Sequence, residues 1–132
     1  MSDMAELVNT LHNFEYIFHK IKESKNGIYH YNEIVKDFDK ELSSKFPECQ
    51  KSTDIQIRVN YMNFDFQVQF VINTIPILII DNEQDLTTEV LHTLTLTLMN
   101  KLSAIYGIFV NITDEHILEF TRIQNSKNHP IQ

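Results

Sequence analysis

The sequence predicts an α+β domain of two layers, in which three helices cover one face of an antiparallel sheet of about five strands. In three segments, apolar residues recur every three or four positions, which is the spacing of amphipathic helices. In other segments they alternate with polar residues, as in half-buried strands. The connections between the strands are of hairpin length. The predicted order is therefore α-α-β-β-β-α-β-β.

The first two elements are helices. Residues 4–21 form one apolar stripe, and lysines follow it, where cations stabilise the end of a helix. We expect Gly27 to end this segment in a left-handed conformation. The second helix covers about 32–45 and ends before Pro47, because the residue before a proline avoids the helical region.

A change of period to two marks the strands that follow. Residues 55–72 alternate in this way, and we interpret them as two strands that form a hairpin turning near Met62-Asn63. A second turn at Asn73-Thr74 leads into the apolar run 75–80. Such a continuous run is typical of a central strand that is covered on both faces.

The third helix has the most ambiguous sequence. Threonine and leucine alternate within residues 91–98, which favours a strand, but leucine also recurs every four positions from Leu86 to Leu102. We predict a helix that opens at the acidic segment 81–85 and ends at Gly107, because acids suit the start of a helix and glycine its end. Two further strands complete the order.

Composition limits the class of protein. We expect residues 1–123 to form a single domain and residues 124–132 a flexible C-terminal tail. One cysteine excludes a disulfide framework, and the apolar runs are far shorter than the ~20 residues of a membrane span. The acidic N-terminus does not resemble a secretion signal, so we expect a cytoplasmic protein. Scarce Gly, Ala and Arg beside abundant Ile and Asn indicate an AT-rich genome, such as that of a phage or plasmid.

One group of residues has the spacing of a metal site. His12, Glu15 and His19 lie three and four positions apart on the first helix, so their side chains fall on adjacent turns. A fourth ligand is not evident. The same spacing is more typical of a solvated helix face, and we predict no metal and no cofactor.

The sequence also offers a single thiol, Cys49, in a polar loop. A nucleophilic cysteine needs a nearby base and a lowered pKa, and His30 or His92 would have to supply the base. No serine lies in a glycine elbow. We therefore interpret Cys49 as an incidental loop cysteine and predict a protein without enzymatic activity.

Charge distribution is more informative. The net charge is −7, which disfavours direct binding to nucleic acid. The segment from Asp81 to Glu119 contains seven acidic residues and one basic residue, Lys101. If the fold brings the two acidic loops together, they form a negative surface that steers a basic partner or imitates a phosphate backbone. The expected partner-binding residues are Asp81, Glu83, Asp85, Asp114 and Glu115.

A second surface is rich in amides. The polar positions of the predicted hairpin alternate with apolar ones, so they share its outer face. Amide side chains bind peptide backbones, although such a face is more often simply solvated. These positions are Gln56, Arg58, Asn60, Asp65, Gln67 and Gln69.

These features favour a non-enzymatic module that binds another protein. In kind, it resembles the small acidic inhibitors and immunity proteins of phages and plasmids, which block a nuclease or another DNA-handling protein. The alternative is a small dimeric secretion or assembly chaperone that binds an apolar segment of its partner. The order of elements after the first helix is similar to that of the secretion chaperones of bacterial pathogens, which are also acidic and of this length. Neither hypothesis involves a membrane, and both leave a homodimer open.

Overall fold

A computed structural model describes residues 4–61, 63–81 and 86–125, which form three helices, a five-stranded sheet and a separate two-stranded hairpin. The elements in chain order are α1 (Met4–Glu23), α2 (Tyr31–Lys45), β1 (Gln50–Lys51), β2 (Arg58–Tyr61), β3 (Phe64–Gln67), β4 (Phe70–Ile72), β5 (Ile75–Asp81), α3 (Thr88–Leu102), β6 (Tyr106–Ile112) and β7 (Leu118–Gln124).

The α+β class and the helix–strand order are confirmed. Residues 91–98 lie within α3, so the four-residue period of leucine outweighs the strand preference of threonine. Both turns are where the sequence predicts them: Tyr61 pairs with Phe64, and Ile72 pairs with Ile75. The predicted strand over 64–72 is divided into β3 and β4, and the short β1 was not predicted.

The sheet is mixed rather than wholly antiparallel. Its strand order is β1-β4-β5-β6-β7, and β5 pairs with β6 in parallel while the other neighbours are antiparallel. The reason is α3, which connects β5 to β6 and carries the chain back to the end of the sheet where β5 began. A connection through a helix produces a parallel pair, whereas a hairpin connection produces an antiparallel one.

The helices cover both faces of the sheet, so the domain has three layers where two were expected. Along β5 the side chains alternate: Ile77 and Ile79 pack against α1 and α2, while Leu78 and Ile80 pack against α3 and the hairpin. Burial of the apolar run on both faces is as predicted. If only one face were covered, half of this run would be exposed to water. That exposure costs a free energy of about 25 cal/mol per Å² of apolar surface.

The ends of α3 differ from the prediction. The helix begins at Thr88, and the Thr87 hydroxyl accepts a hydrogen bond from Val90 N at 3.2 Å, which caps the helix. Asp81 is the last residue of β5, so it does not open the helix. The left-handed residue at the other end is Ser103, with φ of 53°. Gly107 lies inside β6 instead.

The end of the described chain is anchored to the domain. Asn125 is buried, its backbone N–H donates to Ile105 O at 2.7 Å, and its amide donates to Asn100 Oδ1 at 2.7 Å. Of the tail predicted over 124–132, Gln124 ends β7 and Asn125 is buried. Residues 126–132 of that prediction lie outside the described residues.

Gly107 has a packing role that can be tested. A Cβ added there would lie 2.6 Å from Met99 Sδ and 2.7 Å from Met99 Cγ. We expect Gly107→Ala to lower the free energy of unfolding by about 2 kcal/mol, as overpacking of a core does. Urea denaturation measures this. Because the clash is with Met99, Gly107→Ala combined with Met99→Ala should cost less than the sum of the single changes, and additive costs would contradict this explanation.

The β4–β5 turn stores backbone strain at Thr74. Asn73 and Thr74 have φ of 48° and 68°, a conformation that a β-branched residue rarely adopts. We expect Thr74→Gly to raise the free energy of unfolding by about 1 kcal/mol, because relief of strain exceeds the entropy that glycine adds to the unfolded chain. Thr53→Gly, in an exposed turn without a positive φ, is the control and should not stabilise the chain.

Candidate functional site

Parallel pairing of β5 and β6 brings Asp81 and the acidic β6–β7 turn to one end of the sheet. Asp81 ends β5 in register with Ile112, and the β6–β7 turn that carries Asp114 and Glu115 begins at the next residue. Glu119 follows at the start of β7, and Glu89 lies in the first turn of α3. We call this surface the acidic end, defined by Asp81, Glu89, Asp114, Glu115 and Glu119.

The structure describes three of the five expected partner-binding residues. Asp114 and Glu115 are exposed and Asp81 is partly exposed, and the fold brings all three to the acidic end. Glu83 and Asp85 lie outside the described residues. The expectation that two acidic loops share one side of the molecule thus rests on Asp81 and the β6–β7 turn.

The β6–β7 turn is held by Thr113, a residue that sequence reasoning missed. Its hydroxyl accepts hydrogen bonds from Glu115 N at 3.3 Å and from Ile117 N at 3.1 Å. The backbone closes the same turn, with Thr113 N donating to Ile117 O at 2.9 Å. A threonine directly before two acids is the sequence signal for such a turn, since its hydroxyl bonds the backbone two residues on.

In the part of the chain that the structure describes, no lysine or arginine forms an ion pair with a carboxylate of the acidic end. In the described residues the lysine and arginine ion pairs connect first-half cations to first-half acids: Lys20 to Glu41, Lys25 to Glu33 and Asp37, Lys51 to Asp39, and Arg58 to Asp65. Lys101 donates instead to the carbonyl of Arg58 at 2.6 Å. It lies in the last turn of α3, which ends where β6 begins, away from the acidic end. The carboxylates of the acidic end therefore have no lysine or arginine ion pair among the described residues.

The three residues spaced for a metal are all exposed on α1. Glu15 Oε1 and His19 Nε2 are 3.9 Å apart, and the imidazole of His19 lies near the Phe18 and Phe120 rings. Across residues 4–61, 63–81 and 86–125, no three His, Cys, Asp or Glu side chains are grouped as metal ligands would be. In this structure the spacing gives an ordinary helix surface.

Cys49 lies in surroundings that suppress its reactivity. Burial raises the pKa of its thiol from 9.0 to about 11; Lys51 lowers the pKa and Asp39 raises it. The histidines named as its base are on other parts of the fold. His30 precedes α2 and Cys49 follows it, a separation of about 22 Å along a 15-residue helix. His92 is on α3, across the sheet.

Four of the six amide-rich positions share one face of the hairpin, as predicted. Gln56 instead precedes β2, and Gln69 lies between β3 and β4 with its side chain hydrogen-bonded to β5. Arg58 pairs with Gln67 and Asn60 with Asp65, while Val59 on the opposite face is buried against α3. Arg58 Nη1 lies 2.5 Å from Asp65 Oδ2 across the two strands. Arg58, Asp65 and Gln67 line a groove of about 470 Å³ that Asp81 also lines.

Large exposed apolar side chains in the described residues are scattered over the surface. They lie on α1, on the loop before α2 and on the β6–β7 turn: Val8, Tyr16, Ile28 and Ile117. Both faces of the sheet are covered, so an apolar partner would have to bind strand edges. No described helix combines the length and the apolar character that crossing a membrane requires.

Comparisons with known protein families, with curated proteins and with solved structures find no match to this chain.

The state of the Cys49 thiol predicts its reactivity. At pH 8 the raised pKa reduces the thiolate fraction about a hundredfold relative to an ordinary thiol, while a more basic thiolate is a better nucleophile. We expect the folded chain to react with iodoacetamide about tenfold more slowly than the chain unfolded in urea. Mass spectrometry of the alkylated protein measures both rates. Faster reaction of the folded chain would indicate an activated nucleophile and an enzyme.

Proposed function

We propose that this chain is a non-enzymatic inhibitor or immunity-type protein that blocks a basic partner protein, of a kind that handles DNA, through the acidic end. The supporting observation is the convergence of Asp81 with Asp114 and Glu115 on one end of the sheet, although about thirty residues separate them along the chain. The partner's basic surface would face carboxylates that no lysine or arginine of the described chain neutralises.

The charge and the rigidity of the acidic end support binding of a partner more than they support catalysis. Asp114 and Glu115 are exposed on a turn that Thr113 holds by two hydrogen bonds, so a partner orders few new groups when it binds. Fixed carboxylates of one sign raise the rate of encounter with a basic surface and select against acidic partners. The regular spacing of phosphates on DNA is the charge pattern that such a surface would imitate.

The alternative, a dimeric secretion or assembly chaperone, requires an apolar contact. The exposed apolar side chains of the described residues do not form one patch, and helices cover both faces of the sheet. This distribution favours the acidic end over a chaperone-type surface. The two functions differ in their response to salt, because ionic contacts are screened and apolar contacts are not.

Charge reversal at the acidic end tests the proposal. The tagged chain captures its partner from a lysate of a low-GC bacterium, and mass spectrometry identifies proteins released as salt rises. We expect a basic protein to be bound near 0.1 M salt and released near 1 M, where the screening length falls from about 10 Å to about 3 Å. Asp114→Lys combined with Glu115→Lys should abolish this capture.

Glu6→Lys combined with Glu48→Lys is the matched control. It changes the net charge by the same amount at two exposed acids outside the acidic end. Glu6 is near the start of β6, since Met4 Sδ lies 3.7 Å from Tyr106 Oη. The control should retain capture. Equal loss in both double variants would show a dependence on net charge alone, and capture that resists salt would favour the chaperone.

A further inference from the structure

A bulge bends the chain between β3 and β4 away from β5. Phe70 pairs with Ile77, and Gln69 N also donates to Ile77 O, at 3.1 Å, so two successive residues oppose one. Such a bulge bends a strand and ends its pairing. Before this point, β3 pairs with β2 and leaves the sheet.

The bend leaves the last part of β5 with an open edge. No strand of the described residues pairs with Leu78–Asp81 on the side away from β6. Backbone groups of successive residues point to opposite sides of a strand, and Ile77 O points to β4. The carbonyl of Ile79 and the N–H of Asp81 therefore point into the groove.

The facing strand presents a second open edge. Val68 N donates to Ile57 O at 3.0 Å, so Val68 and Phe66 direct their backbone groups to the β2 side. By the same alternation, the backbone N–H and C=O groups of Asp65 and Gln67 point away from β2, toward β5. The groove thus runs between two unpaired strand edges. We call it the slot, lined by Tyr31, Arg58, Asp65, Gln67, Gln69 and Asp81.

One side chain already bonds to the β5 edge as a peptide would. Gln69 Oε1 accepts from Ile79 N at 2.7 Å, and Gln69 Nε2 donates to Tyr31 Oη at 2.9 Å. The carboxamide has the same donor and acceptor groups as a peptide bond. The slot is therefore compatible with a backbone next to β5, and Gln69 marks where such a backbone would start.

Charge at the slot selects the side chains of its occupant. Asp65 is paired with Arg58, whereas Asp81 has no lysine or arginine partner among the described residues. Burial raises the pKa of the Tyr31 phenol, the hydrogen bond from Gln69 lowers it, and the charge of Asp81, which lines the same groove, raises it. A lysine or arginine placed here would pair with Asp81.

The outer edge of the sheet is protected by comparison. β7 is an edge strand, and its exposed side chains include Glu119 and Arg122. Charged residues on an edge strand oppose pairing with another chain. The slot instead has amide and hydroxyl groups on its walls, and along about 13 Å of β5 it has no partner strand among the described residues for the Ile79 carbonyl and the Asp81 N–H.

We infer that the slot binds an extended peptide segment of a partner protein by strand addition, with a lysine or arginine of that peptide against Asp81. Backbone hydrogen bonds to β5 would supply affinity, and the contact with Asp81 would supply selectivity. This site shares Asp81 with the acidic end but uses neither Asp114 nor Glu115.

A library of random twelve-residue peptides displayed on phage provides the probe. Peptides selected on the full chain should contain a basic residue within a run of β-branched residues. Asp81→Lys should weaken their binding at least tenfold and Asp81→Asn less, while Glu48→Lys, at an exposed acid outside both the slot and the acidic end, should leave it unchanged. Bound peptide should slow hydrogen exchange at the Asp81 and Gln67 amides. N-methylation of alternate peptide residues should weaken binding at least tenfold, because it removes backbone donors.

Several results would overturn the inference: no peptide selected above background, equal binding to Asp81→Lys, or protection confined to other amides. Slow exchange at the slot without peptide, together with a dimer in sedimentation, would show that a second copy fills it. Urea denaturation of each variant confirms that it remains folded. If these experiments fail while Asp114→Lys with Glu115→Lys still abolishes partner capture, the proposed function stands and the slot does not.

Discussion

The parallel pairing of β5 with β6 is the constraint on which the rest of this structure depends. Such a pair requires a crossover, and α3 provides it on the face of the sheet opposite α1 and α2. The crossover therefore creates the second core. It also fixes which ends of distant segments meet, since the carboxyl ends of β5 and β6 must lie side by side. The acidic end is a direct result of this topology.

The bulge at Gln69 is a second determinant of this arrangement. A straight β3–β4 strand would pair with β5 along its whole length, and the hairpin would simply extend the sheet. The extra residue opposite Ile77 directs the hairpin toward α3, where Val59 and Val68 complete the second core. One local irregularity thus provides both the packing of the hairpin and the slot beside it.

Local patterns predicted the elements but not their arrangement. The periods of three to four and of two located the helices and most strands, because they report which face of an element is buried. The apolar run of β5 also indicated cover on both faces, which is incompatible with three helices on one face, and the third layer resolves this conflict. The start of α3 was predicted too early because acids suit both helix starts and loops. The meeting of Asp81 with the β6–β7 turn depends on strand order, which no local pattern contains.

The separation of ion pairs from free acids has an electrostatic consequence. Four first-half cations, Lys20, Lys25, Lys51 and Arg58, are paired with first-half acids, whereas the described carboxylates at the carboxyl ends of β5 and β6 have no lysine or arginine partner and their fields add together. The acidic end is therefore a concentration of unpaired negative charge at one end of the strands. Charge concentrated at one end exerts a torque in an external field, so a basic surface would meet the molecule with the acidic end already turned toward it. At low ionic strength this orientation increases the fraction of collisions that are productive.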